Sequence, residues 1–236
     1  MADRHTPANA LQQNRFPLTR ITVLISGSGT NLQALMDACG TEMLPSTNIV
    51  RVISNRKDAY GLVRATTAAP PIPTFYHNLV KYKKDYPKTD QGVREARKAY
   101  DAELARVVLA DEPHLVVCAG YMNILASEFL DPLGEARVPV INLHPALPKK
   151  FNGANAIQRA YAAFQQGEIE ETGVMVHYVI SEVDTGEPIL VRKVPMVAGE
   201  GEADLTQRIH HVEWDIIVAG TEIAIQRLRQ EKIPES

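Results

Sequence analysis

The segment 140–148, VINLHPALP, ends an apolar strand with side chains that are suited to acyl-group chemistry. Asn142 and His144 lie two positions apart, and Pro145 and Pro148 stiffen the chain that follows them. A carboxamide and a protonated imidazole can donate hydrogen bonds to an oxygen that gains negative charge, and an imidazole can also move a proton near neutral pH. The pair therefore predicts a site that stabilises an oxyanion.

A carboxylate that orients the imidazole would complete this set. The segment 181–189, SEVDTGEPI, places Glu182, Asp184 and Glu187 in a turn between two predicted strands. We favour Asp184, because it directly precedes Thr-Gly and such a turn holds a carboxylate rigidly. Residue type alone ranks the three acids only weakly, and an aspartate that merely serves the hairpin turn stays an open alternative.

The glycine-rich segment 26–31, SGSGTN, follows the first predicted strand and opens the first predicted helix. Glycines let the backbone approach an anion closely, and the first amides of the helix then donate to it. The segment therefore predicts a phosphate site. An NAD site is not expected, because Leu32 stands where the third small residue of that fingerprint belongs and no acid ends the second strand. The Gly-Lys-Ser/Thr of a Walker loop is absent as well.

The elements that must position these residues alternate between strand and helix. Apolar runs predict strands at 21–26, 48–54, 71–77, 114–120, 138–143, 173–180 and 187–196. Helical periodicity predicts helices at 31–39, 91–110, 154–164 and about 204–228. This alternation indicates an α/β fold: a Rossmann-like, open and mostly parallel twisted sheet with helices on both faces and a C-terminal antiparallel extension. We expect residues 1–20 to form a flexible arm and residues 21–232 to form a single domain.

Composition excludes several classes of protein. The chain has 236 residues, 45% of them hydrophobic and 22% charged, and a formal net charge of −3, which gives no case for nucleic acid or a membrane as partner. No apolar run approaches the roughly 20 residues that span a bilayer. Cys39 and Cys118 match no metal or redox spacing, so we expect two reduced thiols in a cytoplasmic protein.

The order of five motifs resembles the phosphoribosylglycinamide formyltransferases, which carry out the first folate-dependent formyl transfer of purine synthesis. The motifs are SGSGTNLQAL, SNRKDAYGL, AGYMNIL, INLHPALP and VHYVISEVDTGEPI, and the likeness covers about residues 20–228. Asn-x-His-Pro with a later Asp is shared by all folate formyltransferases, whereas the SGSGTN loop is more particular to this family. The loop ALPKKFNG resembles fungal members.

The resemblance implies a role for each motif, and the cosubstrate 10-formyltetrahydrofolate without a metal. The phosphate of phosphoribosylglycinamide would be held by Gly27, Ser28, Gly29, Thr30 and Asn31, and Glu213 would contact its ribose or glycinamide end. The folate pocket would comprise Arg97, Met122, Asn123, Ile124, Leu125, Asn142, Val183, Asp184, Thr185 and Gly186. The catalytic residues would be Asn142, protonated His144, and Asp184, which raises the imidazole pKa. The N-terminal half would then bind phosphate, and the C-terminal half would bind folate.

Some residues depart from the family pattern. Asn123 stands where many relatives carry arginine, and Ile157 stands where many have a histidine, so we assign Ile157 no catalytic role. The segment 78–92 is a longer, basic insertion whose lysines are expected to form a solvated face.

Three alternatives remain open at this stage. Methionyl-tRNA formyltransferase shares the catalytic residues but usually carries a further C-terminal domain, and formyltetrahydrofolate deformylase normally has an N-terminal regulatory domain. A non-catalytic phosphoribosyl-binding module would keep SGSGTN but lack the Asn-His-Asp set. We expect small-molecule partners and no nucleic acid or membrane; a weak homodimer is possible, and the sequence does not determine the oligomeric state.

Overall fold

The computed structural model describes residues 17–231, and within this range seven strands form one sheet. The spatial order is β3-β2-β1-β4-β5-β6-β7. The first five strands pair in parallel, and β6 and β7 are antiparallel. The strand bounds are β1 Thr19–Ile25, β2 Thr47–Ser54, β3 Thr74–Tyr76, β4 Leu115–Cys118, β5 Val140–His144, β6 Glu171–Tyr178 and β7 Pro188–Pro195. This confirms the predicted fold class.

Seven helices of the described range cover the sheet. One apolar cluster joins one sheet face to the helices that contain Leu32, Ile157 and Ile216, and a second joins the other face to those that contain Leu104 and Phe129. The sheet is therefore buried on both faces, as its continuous apolar strands require. The helices are α1 Thr30–Ala38, α2 Tyr60–Thr66, α3 Leu79–Lys84, α4 Asp90–Leu109, α5 Ser127–Glu135, α6 Ala156–Gln165 and α7 Glu202–Glu231.

The strand order places the predicted loops side by side. β1 pairs with β2 on one side and with β4 on the other, so the sheet reverses its direction of growth between β1 and β4. Loops that leave the carboxyl ends of parallel strands on the two sides of such a switch point diverge and leave a crevice, where ligands of open α/β sheets bind. The glycine loop leaves β1, and the 119–126 loop leaves β4, at this crevice.

Several element bounds differ from the sequence-based predictions. β3 is limited to Thr74–Tyr76 rather than 71–77, because Pro71 and Pro73 lack the amide hydrogen that a ladder needs. Helices α2, α3 and α5 were not predicted, since the first two are short and the third contains Pro132. Of the predicted arm, residues 1–16 lie outside the described residues, while β1 already begins at Thr19.

The basic insertion contains α3, whose Lys81, Lys83 and Lys84 are exposed, as expected for a solvated face. Both cysteines are free thiols, with Cys118 buried and Cys39 partly buried. Burial raises the pKa of each thiol to about 12, which keeps both protonated. No helix within residues 17–231 is long and apolar enough to cross a membrane.

Helix α7 packs so closely on β6 that residue 220 must be glycine. A Cβ atom at Gly220 would lie 2.7 Å from the Cβ of Val176, which is too stiff and too near the backbone to move aside. We expect Gly220→Ala to lower the free energy of unfolding by about 1–3 kcal/mol through overpacking. Denaturant unfolding measures this change.

Gly134→Ala in α5 is the matched control for Gly220→Ala. A Cβ there meets no atom within 4 Å. Removing a helical glycine without a clash should raise stability by about 0.5–1 kcal/mol. Equal free energies of unfolding for the two variants would show that α7 does not pack closely on β6 at Gly220.

Candidate active site

A cavity of about 310 Å³ opens at the carboxyl ends of β4 and β5. The loop after β4 lines one wall, the end of β5 lines the floor, and the connection between β6 and β7 closes a third side. The lining includes residues 120–125, 142–145, 153–156, 177, 179–180 and 182–184. The motifs of the predicted folate pocket and the predicted oxyanion site thus share one cavity.

The structure brings Asn142, His144 and Asp184 together at the floor of this cavity. The Nδ1 atom of His144 lies 3.4 Å from Oδ2 of Asp184, and Nδ2 of Asn142 lies 3.4 Å from Oδ1 of the same carboxylate. His144 is only 4% exposed, and its Nε2 atom has no hydrogen-bond partner among the described residues. A buried nitrogen without a partner is costly in a structural role and suited to a reacting group.

His177 is a fourth member of this cluster, and sequence reasoning assigned it no role. Its Nδ1 lies 2.8 Å from the carbonyl oxygen of Tyr178, which is an acceptor, so Nδ1 carries the hydrogen. Its Nε2 lies 3.3 Å from Nδ2 of Asn142 and 3.5 Å from Oδ1 of Asp184. The antiparallel register that pairs Asn142 with His177 produces this contact, and a correct alignment of β5 with β6 could have revealed it.

Asp184 is fixed by the backbone as well as by side chains. The amide of Gly153 donates to its Oδ2 at 2.7 Å, and Asp184 itself has a left-handed φ of 56°, which aspartate tolerates better than most residues. Glu182 bonds to Ser181, and Glu187 forms an ion pair with Arg227, so neither acid faces His144. Of the three acids considered from the sequence, the structure places Asp184 at the imidazole.

Burial and the contacts within the cluster set the pKa values of Asp184 and His144. Burial raises the pKa of Asp184, but the contacts with His177, the Gly153 amide and His144 outweigh it and hold the pKa below its ordinary range. Burial lowers the pKa of His144 below its ordinary 6.5, and the charge of Asp184 offsets only part of this effect. Both shifts favour a neutral imidazole and an ionised Asp184 carboxylate in the resting site at neutral pH, and a protonated His144 during the reaction, as the resemblance implies, stays a prediction.

The predicted folate residues of the β4 loop lie on the cavity wall. Met122 is 75% exposed and Ile124 is 60% exposed, whereas Leu125 is buried. Exposed apolar side chains at a cavity mouth are typical of a site for a flat, partly apolar ligand. Asn123 donates to the hydroxyl of Tyr100 at 3.3 Å, so its amide anchors the loop from below.

Arg97 supports the same loop. Its Nε donates to Asp101 at 2.6 Å, and its Nη2 donates to the carbonyl oxygen of Ile124. Asp101 is fully buried, and burial raises the pKa of its carboxyl although Arg97 opposes this effect. Arg97 does not line the cavity and lies behind the loop.

The remaining predicted folate residues form the turn that carries Asp184. Val183 is 36% exposed and lines the cavity, and its carbonyl oxygen accepts a hydrogen bond from Nδ2 of Asn152. The hydroxyl of Thr185 donates to the carbonyl oxygen of Glu182 within the turn. A Cβ at Gly186 would lie 1.8 Å from the carbonyl oxygen of Tyr178, so this position requires glycine.

The glycine loop has the geometry of an anion site. Gly29, the N-cap of α1, has a φ of 72°, and a Cβ there would lie 2.5 Å from the Cα of Gly61. Gly27 and Ser28 are exposed, and Thr30 begins the helix. Backbone amides at a left-handed residue before a helix form a concave, positive surface.

Glu213 reaches the glycine loop from α7. Nδ2 of Asn31 donates to its Oε2 at 3.2 Å, and both side chains are less than 10% exposed. Burial raises the pKa of Glu213, although the bond from Asn31 opposes this. The structure thus joins the two predicted substrate elements, which lie 182 positions apart.

Ser26 connects the glycine loop to the β4 loop, a link that the sequence analysis did not predict. The amide of Met122 donates to its Oγ at 2.8 Å, and this hydroxyl donates to Oδ1 of Asn55 at 2.6 Å. The ends of three parallel strands are therefore tied together across the crevice. Among residues 17–231 no cluster of three or more His, Cys, Asp or Glu side chains is placed to hold a metal.

Comparison with known proteins agrees with this geometry. A family model described as formyl transferase matches residues 19–221, which is most of the chain. The chain is 50% identical over 199 residues to the phosphoribosylglycinamide formyltransferase of Schizosaccharomyces pombe, covering 84% of this chain and 93% of that protein. It is 44% identical over 218 residues to the Saccharomyces cerevisiae protein of the same name, covering 90% and 100%.

Solved structures give the same result. The crystal structure of glycinamide ribonucleotide transformylase 1 from Symbiobacterium toebii matches with a TM-score of 0.73 and 32% identity, over 93% of this chain and 92% of that one. The chain therefore belongs to the formyl transferase family and, within it, to the phosphoribosylglycinamide formyltransferases.

Proposed function

We propose that the protein transfers a formyl group from 10-formyltetrahydrofolate to the amine of phosphoribosylglycinamide, a step of purine synthesis. The observation that carries this proposal is the convergence of Asn142, His144 and Asp184 in a cavity beside the β4 loop, with the glycine loop at the adjoining strand end. The folate would lie against Met122 to Leu125 and the 183–186 turn. The phosphate would lie on residues 27–31, with Glu213 at the ribose or glycinamide end.

The proposed reaction is direct attack by the substrate amine. A bond forms between the amine nitrogen and the formyl carbon, and the carbonyl electron pair moves to oxygen. The two hydrogens of Asn142 Nδ2 are directed at His177 and Asp184 through long contacts of 3.3 and 3.4 Å, and one of them would turn to this oxyanion. The tetrahedral intermediate then collapses with cleavage of the bond to the folate nitrogen.

Neutral His144 supplies the proton transfer in this scheme. The Asp184 carboxylate, 3.4 Å from Nδ1, favours the tautomer with the hydrogen on Nδ1, and Nε2 would then present a lone pair that accepts a proton from the attacking amine. The imidazolium formed in this way is stabilised by the ionised Asp184 and returns the proton to the departing folate nitrogen. The net proton movement is from amine to folate, so the charges balance without a metal or a covalent intermediate.

We propose small molecules as partners and the cytoplasm as compartment, in keeping with two reduced thiols.

One assay separates the alternatives. Purified protein is mixed with 10-formyltetrahydrofolate and with phosphoribosylglycinamide, initiator Met-tRNA or water alone. We expect donor consumption only with phosphoribosylglycinamide. Consumption with the tRNA or with water would instead support the two rival activities, and none at all would support a binding module.

The pH dependence of kcat follows from the lowered pKa values of His144 and Asp184. Because His144 must be neutral and Asp184 ionised, kcat should stay constant from neutral pH downward until the pH falls below the ordinary histidine value of 6.5, and should then decrease as His144 is protonated. We measure kcat rather than kcat/KM, because the latter also reports ionisation of the free substrate amine. A kcat that rises as the pH falls through 6.5 would indicate a protonated imidazole instead.

A further inference from the structure

The proposed function leaves a question of charge at the glycine loop. The phosphate of a sugar monophosphate has about −1.5 to −2 charges at neutral pH, while SGSGTN, residues 26–31, contains no lysine or arginine. Backbone amides alone would have to balance this charge. A cation in contact with the loop would lower the cost of binding a dianion.

Arg64 of α2 is in contact with the loop. Its Nε donates to the carbonyl oxygen of Ser28 at 2.9 Å, and its Nη1 donates to Oε1 of Gln33 in α1 at 3.1 Å. Its guanidinium carbon also lies 5.1 Å from the centre of the Tyr60 ring. Three contacts in different directions fix the guanidinium, which is more than a solvated surface arginine requires.

The same contacts orient the backbone of the loop. The Ser28 carbonyl is held by Arg64, and the Gly27 carbonyl accepts a bond from the amide of Gly61 at 3.1 Å. Both carbonyl oxygens, which would repel an anion, are thus engaged by α2. The left-handed Gly29 that follows can then direct its amide and those of α1 to the crevice.

We propose that Arg64 is a positioning and charge-supplying residue of the phosphate site, and that it makes the protein select a phosphorylated substrate. This inference rests on the proposed function and extends it to a residue outside the glycine motif. The remaining guanidinium nitrogen, Nη2, has no hydrogen-bond partner within the described part of the chain, so it is available to the phosphate directly or through water.

The test is steady-state kinetics of Arg64→Met and Arg64→Lys, with both substrates varied. For Arg64→Met we expect the KM for phosphoribosylglycinamide to rise about tenfold or more, as for loss of a charge-assisted hydrogen bond. The KM for 10-formyltetrahydrofolate and kcat at saturation should stay unchanged. Arg64→Lys keeps the charge but loses the fork geometry, so its KM should lie between those of the wild type and Arg64→Met.

Arg106→Met is the matched control, because Arg106 bonds to Glu103 on its own exposed helix face. It should leave both KM values unchanged. A thermal unfolding curve of each variant shows that it is folded. An unchanged KM for phosphoribosylglycinamide in Arg64→Met, or an equal rise in the KM for the folate, overturns the inference.

Calorimetric titration with ribose 5-phosphate separates this inference from the proposed function. If the wild type binds ribose 5-phosphate and Arg64→Met binds it about tenfold more weakly, the role of Arg64 stands even if no formyl transfer is found. If formyl transfer is found but binding is equal in the two proteins, the proposed function stands and the inference fails. A wild type that does not bind ribose 5-phosphate also overturns the inference.

Discussion

His144→Ala is expected to lower kcat roughly 100-fold to 10,000-fold, the range that a positioned general acid–base contributes. His144 presents a buried, unpartnered Nε2 to the proposed reaction centre, whereas the Asn142 amide does not titrate and the lowered pKa of Asp184 makes its carboxylate a weak base. The KM for each substrate should change little, since the imidazole acts mainly in the transition state. Steady-state kinetics with both substrates measures these changes.

Chemical rescue provides the sharpest control for His144→Ala. The substitution leaves a space at the cavity floor, and added imidazole should restore part of kcat if the missing group moves a proton. His211→Ala, a change of an exposed histidine that bonds to its own helix at Gln207, should retain wild-type kcat. Wild-type turnover by folded His144→Ala would remove His144 from the mechanism.

The fold was predictable from the sequence because the strands are buried on both faces. The run Leu115–Cys118 is apolar throughout, and Asn142 is the one polar residue of Val140–Leu143, which is the pattern of central parallel strands. The helices that escaped prediction lack this kind of signal. Helix α2 has seven residues, of which only Gly61 and Ala65 are buried, so it shows almost no apolar face.

The candidate site was only partly predictable, and the reason is physical. Asn142 and His144 could be found because they alternate along one strand, and Asp184 because a turn signal follows it. Their mutual geometry, however, depends on the register of β5 against β6 and on the Gly153 amide, which no local pattern encodes. His177 was not predicted for the same reason, because its contact with Asn142 depends on the register of β5 against β6.

The pKa of His144 could not be predicted from the sequence either, because it depends on burial. The sequence correctly suggested that a carboxylate would favour the charged imidazole, but it contained no measure of burial. In the structure His144 is 4% exposed, and desolvation is the larger effect on its pKa. Burial therefore favours a neutral imidazole at rest, which can act as a proton acceptor when the reaction begins.

Asp184→Asn is expected to lower kcat by about 100-fold or more while it preserves the local structure. The asparagine oxygen can still accept the bond from the Gly153 amide, which is 2.7 Å in the wild type, so the turn should keep its shape. What is lost is the negative charge beside Nδ1 of His144, which stabilises the imidazolium formed during transfer. Stopped-flow or steady-state measurement of kcat tests this expectation.

The pH profile distinguishes this electrostatic role from a merely structural one. Because Asp184 raises the His144 pKa against the effect of burial, its removal should shift the acid limb of kcat to lower pH. Glu187→Gln is the matched control, since that acid lies in the same connection but pairs with Arg227, and both kcat and the acid limb should be unchanged. If Asp184→Asn lowers kcat without shifting the acid limb of the kcat profile, the carboxylate stabilises the turn and does not stabilise the protonated imidazole. Such a result would leave His144 as the base but would require another group to stabilise its protonated form, and His177 carries no negative charge to do so.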